Sequence, residues 1–348
     1  MFLKNELELR KLPPIPEEGN LPDKRRARVL DILQKEIYGE RPPAPDFVQS
    51  VIEDEGTPAD FAGKARLRKI RLTVSVLGGT FSFPFRLVFP TDKMNLPFVV
   101  LINFRPDVPD KYLPAEELLD RGIGFASLYY EDVTKDNNDF TDGFAGFLAE
   151  RGIRCGKISM WAYCASLILD YILENESVDR ERLAVAGHSR LGKTALLAGA
   201  FDLRFTHVYS NNSGCGGAAI ARGKNGETVE KINERYGYWF CEKYKTYAGR
   251  EAEMPFDQHF LLAAIAPRKI YVASAAADSW ADPVSEYLNC AAVSSYYEAL
   301  GKTGFISADR LPEIGDVFHA GDIGYHLRAG EHYLSRADWN LFLQFFLQ

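Results

Sequence analysis

A serine in the segment LAVAGHSRLGKTAL, residues 183–196, has the surroundings of a catalytic nucleophile. The continuous apolar run before Gly187 predicts a buried strand, and the small-residue run after Ser189 predicts a helix. A sharp turn between a buried strand and a helix exposes the serine hydroxyl, and flanking glycines allow the strained backbone and close packing. The pattern here is G-x-S-x-x-G rather than G-x-S-x-G, because Gly192 comes three residues after the serine.

The predicted helix also supplies electrostatic assistance. Ser189 would lie at its N-terminus, where unpaired N–H groups and the helix dipole favour negative charge. The N–H of Arg190 is then a natural donor to an oxyanion, and one such donor is typically worth ~10²–10³ in rate. The alternative is a serine that only caps the helix. A cap requires neither the preceding glycine nor the long buried run, so the pattern favours a nucleophile.

A serine nucleophile requires a general base, which in turn requires an orienting acid. The histidines that follow Ser189 are His207, His259, His319, His326 and His332. His332 is favoured because it lies on a glycine-containing loop just before a final helix that Ser335 is predicted to cap. His326, in GYHLR, is the alternative, although a partly buried structural role is more typical of its context. His207 and His259 fall within predicted strand and helix, where a structural role is favoured.

The orienting acid is predicted in RKIYVASAAADSWADP, which ends a buried strand and offers Asp278 and Asp282. Asp282 precedes Pro283, a favoured first residue of a helix, so its simplest role is an N-cap. Asp278 comes directly after the strand, where a triad acid would stand. The residues therefore predict a triad of Ser189, His332 and Asp278.

Several segments resemble the glucuronoyl esterases of carbohydrate esterase family fifteen, especially its bacterial branch. They are AGHSRLGKTALLAGAFDLRF, SNNSGCGGAAI, GETVEKIN, YWFC, DQHFLLAAIAPRKIYVASAAADSWADP and GYHLRAGEHYL. The resemblance is close over about residues 155–348 and looser before them. It implies an α/β-hydrolase fold and hydrolysis of the ester that joins 4-O-methyl-glucuronic acid of xylan to lignin alcohols.

The resemblance also implies site roles. By position, Ser189 matches the nucleophile, His332 the base, and Arg190 the arginine whose backbone and guanidinium stabilise the oxyanion. The positions that match contacts to the uronic-acid sugar are Lys193, Glu227 and Trp280. Their chemistry agrees, since lysine and glutamate can hydrogen-bond sugar hydroxyls and an exposed tryptophan face can pack on a pyranose ring.

Three departures from the family pattern stand out. Fungal members carry the triad acid as a glutamate in a segment like ESG, where this chain reads Asn212-Ser213-Gly214, so Asp278 must orient His332. The fungal cysteine beside the nucleophile, which forms a disulfide, is replaced by His188. Acidic residues of many bacterial members are replaced by alanines at 275–277.

The elements around these residues predict an α/β fold with a mixed sheet covered on both faces. The resemblance implies that this fold is an α/β-hydrolase three-layer sandwich with a mostly parallel mixed sheet. Runs with strand character at 66–103 and 125–130 precede alternating strands and helices from residue 156 onwards. No repeat or linker divides residues 1–348, which predicts a single domain. Residues 1–22 are expected to be an irregular, proline-rich arm, followed by an amphipathic helix over 23–38 that stops at Gly39.

Other motifs are set aside. GCGGAA, residues 214–219, lacks the βαβ context of a dinucleotide site, and close backbone approach is favoured instead. DNNDFTDG, residues 136–143, is similar to a calcium loop, but Phe140 falls where an oxygen ligand is required, which favours a solvated turn. No HExxH or paired-cysteine spacing occurs, so neither a metal nor a cofactor is expected.

The composition limits the classes of partner that the protein could bind. The 348 residues are 46% hydrophobic with a net charge of −7 and dispersed basic residues, which disfavours nucleic acid. No apolar run approaches the ~20 residues of a membrane span. The charged N-terminus lacks a signal peptide, so a cytoplasmic protein is predicted, or a secreted one if a leader preceded it. The sequence fixes neither the oligomeric state nor whether Cys215 and Cys241 pair.

Three functions remain for comparison. The first is a metal-free serine esterase acting on glucuronate esters as small carbohydrate substrates. The second keeps the triad but acts on acetylated xylan or another carbohydrate acyl ester. The third is a carbohydrate-binding relative without catalysis, which the complete Ser, His and Asp set disfavours.

Overall fold

The computed structural model describes residues 2–16, 22–91 and 93–348. Within them, ten strands form one mixed sheet in the order β1-β2-β3-β5-β4-β6-β7-β8-β10-β9. The strands are β1 Phe47–Gly56, β2 Ala65–Val76, β3 Gly79–Pro90, β4 Leu96–Asn103, β5 Gly124–Tyr129, β6 Val178–His188, β7 His207–Asn211, β8 Lys269–Ala275, β9 Val317–Phe318 and β10 Ile323–Arg328.

The sheet is parallel from β5 through β4, β6, β7 and β8 to β10. The antiparallel pairs lie at its two sides, where β1, β2, β3 and β5 follow one another and β9 pairs with β10. The predicted α/β fold with a mostly parallel mixed sheet is therefore confirmed. Because carboxyl ends of parallel strands share one edge, the residues that follow β6, β8 and β10 converge there.

Helices cover both faces of this sheet. They are α1 Phe2–Arg10, α2 Pro22–Leu33, α3 Ala115–Asp120, α4 Gly143–Ala149, α5 Lys157–Asn175, α6 Arg190–Phe201, α7 Val229–Tyr236, α8 Glu242–Lys245, α9 His259–Ile265, α10 Pro283–Ala299 and α11 Arg336–Phe346. One face carries α2, α5, α6, α9 and α10, and the other carries α3 and α11, as the two hydrophobic cores show. The molecule is the predicted three-layer arrangement.

Alternation along the central strands divides the core in two. In β6, Leu183 and Val185 face the larger core, while Ala184 and Ala186 face the smaller one. Side chains in a strand point to opposite faces in turn, so a strand covered on both faces is apolar throughout. This is why the run LAVAG shows no alternation of apolar and polar residues.

The prediction of an irregular N-terminal arm is wrong for its first half, because Phe2–Arg10 is a helix. The carboxylate of Asp309 accepts the backbone N–H groups of Phe2 and Leu3 at 2.8 and 2.9 Å. At the other end, Arg10 Nη1 donates to the carbonyl of Arg222 at 2.8 Å. These partners are ~200 residues or more away in sequence, so local propensity does not reveal them. Residues 1 and 17–21 of the arm lie outside the described residues.

The predicted helix over 23–38 is confirmed in extent but not in uniform geometry. The α-helix Pro22–Leu33 continues as a π-helical turn, Gln34–Tyr38. It ends at Gly39, whose φ is +81°, as the stop signal predicted. A Cβ at Gly39 would lie 2.5 Å from Cys155 Cα, so the close approach also requires glycine.

Among the described residues the structure has neither a membrane-spanning helix nor a disulfide between Cys215 and Cys241. None of their helices combines the length and apolarity that a membrane crossing requires. Cys215 and Cys241, whose pairing the sequence left open, are both free thiols.

Candidate active site

Ser189 occupies a strained turn between β6 and α6, with φ 57° and ψ −128°. A Cβ at Gly187 would lie 2.0 Å from the carbonyl oxygen of Leu191, so the turn requires glycine there. At Gly192 a Cβ would lie 3.0 Å from Ser213 Cβ, where α6 passes the end of β7. Leu191, at the position of the standard second glycine, is fully buried in the core. The shifted glycine therefore still serves close helix–strand packing, and the predicted elbow is present.

His332 and Asp278 meet as the sequence predicted. The imidazole Nδ1 lies 2.6 Å from Asp278 Oδ2. The His332 ring is also 4.5 Å, centroid to centroid, from that of His188, the residue before Ser189. The side chain of His332 is 41% exposed and that of Asp278 only 2% exposed, so the base is open to solvent while the acid is buried.

The charge state of Asp278 suits an orienting acid. Burial raises the pKa of Asp278, but the hydrogen bond and charge of His332 outweigh burial and hold that pKa below its ordinary value. An ionised carboxylate at Oδ2 requires the hydrogen on Nδ1 of His332, which leaves the Nε2 lone pair to accept a proton.

Asp282 has the predicted capping role. Its Oδ1 accepts the backbone N–H of Ser285 at 3.2 Å, and its Oδ2 accepts the Ser285 hydroxyl at 2.6 Å. Both contacts hold the first turn of α10. The prediction that Asp282 caps a helix is confirmed.

A partly buried cation, that of Arg328, holds the loop that carries His332. Arg328 Nη2 donates to the carbonyls of Glu331 and Tyr333, which stand on either side of the histidine. Arg328 Nε in turn lies 2.8 Å from both carboxylate oxygens of Asp338. Nothing in the local sequence marks Arg328, because its partners belong to a loop and a helix that only the fold brings together.

The alternative base, His326, is structural. It is fully buried, and its Nε2 lies 2.9 Å from Asp338 Oδ1. Its Nδ1 lies 2.9 Å from the hydroxyl of Tyr271. With both ring nitrogens engaged by buried side chains, His326 supports the His332 loop through Asp338.

His188, which precedes the predicted nucleophile, is held in a buried position. Its ring is buried, and its Nδ1 lies 2.6 Å from Asn211 Oδ1. Burial, followed by the nearby charge of His332, lowers the pKa of His188 to about 3. A neutral ring therefore packs against the base, so it adds no like charge when His332 becomes protonated.

The three residues matched to sugar contacts form one cluster. Lys193 Nζ lies 3.5 Å from Glu227 Oε2, and Trp280 Nε1 donates to Glu227 Oε1 at 3.0 Å. The side chains of Lys193 and Glu227 are only 4% and 7% exposed. Trp280 is half-buried, and the cations of Lys231 and Arg235 lie 5.4 and 4.9 Å from its ring centroid.

The glycine segment 214–219 packs beneath the site. Gly214 and Gly216 both have positive φ, and a Cβ at Gly214 would lie 3.1 Å from Ala281 Cα. The favoured interpretation, close backbone approach, is confirmed. Among the described residues, no group of three or more His, Cys, Asp or Glu side chains could hold a metal ion.

Glu286 lies under this segment, and its burial predicts a stability that depends on pH. Its Oε1 accepts the N–H of Gly214 at 2.8 Å, and its Oε2 accepts the Ser274 hydroxyl at 2.6 Å. Burial raises the pKa of Glu286 from 4.5 to about 7. Between these values the folded protein retains a proton that the unfolded chain releases, so the free energy of unfolding falls as pH rises.

Glu286→Gln is expected to remove that fall. Between about pH 5 and pH 8 its stability relative to wild type should rise by up to about 3 kcal/mol. Urea unfolding at both pH values measures the difference, with Glu298→Gln, an exposed glutamate of the same helix, as the control. If the difference in free energy of unfolding between Glu286→Gln and wild type were the same at both pH values, the raised pKa of Glu286 would be contradicted.

Comparison with known proteins identifies the family. The family profile described as "Glucuronyl esterase, fungi" matches residues 72–301, well over half of the chain. The chain belongs to the glucuronoyl esterase family. A glucuronoyl esterase from Solibacter usitatus has the same fold, with a TM-score of 0.86 and 31% identity over 96% of this chain and 94% of that one. The resemblance read from the sequence is thereby confirmed.

Two curated relatives match part of the chain. Carbohydrate esterase MZ0003, from an unknown prokaryotic organism, is 40% identical over 66% of this chain and 54% of its own length. A 4-O-methyl-glucuronoyl methylesterase from Podospora anserina is 27% identical over 80% of this chain and 56% of its own length. The chain spans about half the length of these curated relatives.

Proposed function

We propose that this glucuronoyl esterase family member is a serine esterase that hydrolyses esters of glucuronic acid and 4-O-methyl-glucuronic acid. The observation that carries the proposal is the 2.6 Å contact between His332 Nδ1 and Asp278 Oδ2 at the strand edge that also presents Ser189. The names of the relatives, esterases of carbohydrates and of 4-O-methyl-glucuronoyl groups, support the substrate class.

In the proposed reaction, Ser189 Oγ attacks the C6 carbonyl of the glucuronate ester. His332 Nε2 takes the hydroxyl proton, and Asp278 stabilises the imidazolium through Nδ1. The tetrahedral oxyanion is stabilised by the N–H and guanidinium of Arg190. His332 then returns the proton to the leaving alcohol, and a water attacks the acyl-enzyme by the same steps to release the acid.

The acid side of the substrate would bind at Lys193, Glu227 and Trp280. Lys193 and Glu227 are nearly buried and their charges are paired, so their positions are fixed before substrate arrives. A site that holds the uronate and leaves the exposed edge of His332 to the alcohol should tolerate different alcohols.

A substrate panel tests the proposal. Methyl and benzyl glucuronate should be hydrolysed with kcat/KM values much above that for acetylated xylan or an acetylated monosaccharide. An enzyme that binds its alcohol as sugar, such as an acetyl xylan esterase, would show the reverse order. Equal inactivity on every ester would instead favour a carbohydrate-binding relative.

A further inference from the structure

The segment 135–142, here called the Lys157 loop, is wrapped around a buried ammonium. Lys157 Nζ lies 2.6 Å from the carbonyl oxygens of both Lys135 and Asp139. It is also 3.4 Å from Asn137 Oδ1 and 3.7 Å from Asp142 Oδ1, and its side chain is 0% exposed. Most side chains of the loop are solvent-exposed, as the predicted solvated turn requires, but its inward-facing oxygens also bind an internal cation.

The same loop presents a nearly buried carboxylate, that of Asp136, which is 5% exposed. Asp136 Oδ1 accepts the indole N–H of Trp239 at 2.6 Å, and Oδ2 accepts the hydroxyl of Tyr130 at 3.1 Å. Oδ2 also forms an ion pair with Nη1 of Arg190. The backbone oxygen of Asp136 accepts the hydroxyl of Tyr238 at 3.1 Å, so both the carboxylate and its backbone are fixed.

These contacts determine where the Arg190 guanidinium lies. Its central carbon is 4.8 Å from the ring centroid of Trp239 and 5.5 Å from those of Phe104 and Tyr236. The rings fix the plane of the guanidinium, and Asp136 fixes its rotation by engaging Nη1. A free arginine side chain has many rotamers, and without these contacts the reaction itself would have to restrict them.

We propose that Asp136 is a positioning residue that orients Arg190 toward the oxyanion, and that Lys157 holds the loop that carries it. The inference rests on the proposed function, because it assigns a role within that reaction. A purely structural alternative is that Asp136 only neutralises a half-buried arginine. The two differ in whether removal of the carboxylate affects the reaction through Arg190.

Asp136→Asn should lower kcat on methyl glucuronate by about 10- to 100-fold with KM within about twofold, since the loss falls on transition-state stabilisation. Asp136→Glu should recover part of this loss. Arg190→Met should lower kcat further, and the double variant should equal Arg190→Met alone. The proposal would be overturned if the double variant lost kcat by the product of the two single losses. A wild-type kcat in Asp136→Asn would overturn it as well.

A control and a second variant keep the test decisive. Asp139→Asn makes the same change in the same loop at an exposed carboxylate that bonds to Thr141, and should leave kcat unchanged. Should Asp136→Asn not fold, Tyr130→Phe removes one hydroxyl from the Asp136 carboxylate. Tyr130→Phe should lower kcat by about two- to tenfold in the wild-type background and should have no effect in the Arg190→Met background. A fall that persists in Arg190→Met would overturn the proposal.

Labelling by a fluorophosphonate separates this inference from the substrate assignment. Ser189 Oγ forms a bond to phosphorus, fluoride leaves, and the phosphoryl oxygen lies where the oxyanion would lie. Slower labelling of Asp136→Asn would support the positioning role even if glucuronate esters prove not to be substrates. Equal labelling rates would overturn it, as would a wild-type protein that neither reacts nor hydrolyses any ester.

Discussion

Ser189→Ala is expected to reduce kcat on glucuronate esters by about 10⁶, because the acyl-enzyme can no longer form. Any residual rate would come from substrate binding and the oxyanion donors alone. Initial rates on benzyl glucuronate, with released alcohol quantified by chromatography, provide the measurement.

The variant should fold normally. The Ser189 side chain makes no capping hydrogen bond to α6, and alanine bears the same Cβ on the strained backbone. Ser279→Ala, at an exposed serine close to the site, is the matched control and should keep wild-type activity. Activity of Ser189→Ala equal to that of wild type would remove the proposed mechanism entirely.

Asp278→Asn is expected to lower kcat by about 10⁴. The amide can present an N–H to Nδ1 of His332, which favours the tautomer with hydrogen on Nε2. That tautomer cannot accept the serine proton. Steady-state kinetics across pH, with circular dichroism to confirm folding, measure the effect.

Asp282→Asn provides the matched comparison, since it makes the same substitution four residues away. Asparagine is itself a good helix cap, so the free energy of unfolding should change by less than about 1 kcal/mol, and kcat should stay near that of wild type. If the larger loss of kcat belonged to Asp282→Asn, the acid of the triad would be Asp282.

Much of the site could be predicted because its residues lie in strong local patterns. Ser189 follows a continuous apolar strand, Asp278 follows another, and His332 precedes a helix with a visible capping box at Ser335. Each pattern ends at the same edge of a parallel sheet, so local signals were enough to assign the three residues to that edge. The predicted sugar contacts were different, because only the family resemblance marked Lys193, Glu227 and Trp280.

The residues that sequence reasoning missed are those whose roles arise from contacts between distant segments. Asp136 and Arg190 are 54 residues apart, and Arg328 acts through backbone carbonyls that carry no residue-specific signal. β1 was also missed, because its exposed side chains lack the alternation that marks a half-buried strand. Its pairing with β2, rather than its own composition, makes it a strand.

The cation inside the Lys157 loop belongs to the protein chain, because Lys157 is the first residue of α5. This has a consequence for how the loop responds to ions in the medium. A loop that encloses a free ion gains or loses its shape as that ion exchanges with the medium, whereas an ammonium on the chain cannot dissociate. Chelators or changes in calcium concentration should therefore not alter the Lys157 loop or its contact with Arg190. A substitution of the lysine itself, such as Lys157→Met, would instead take the positive charge out of this enclosure of oxygen atoms.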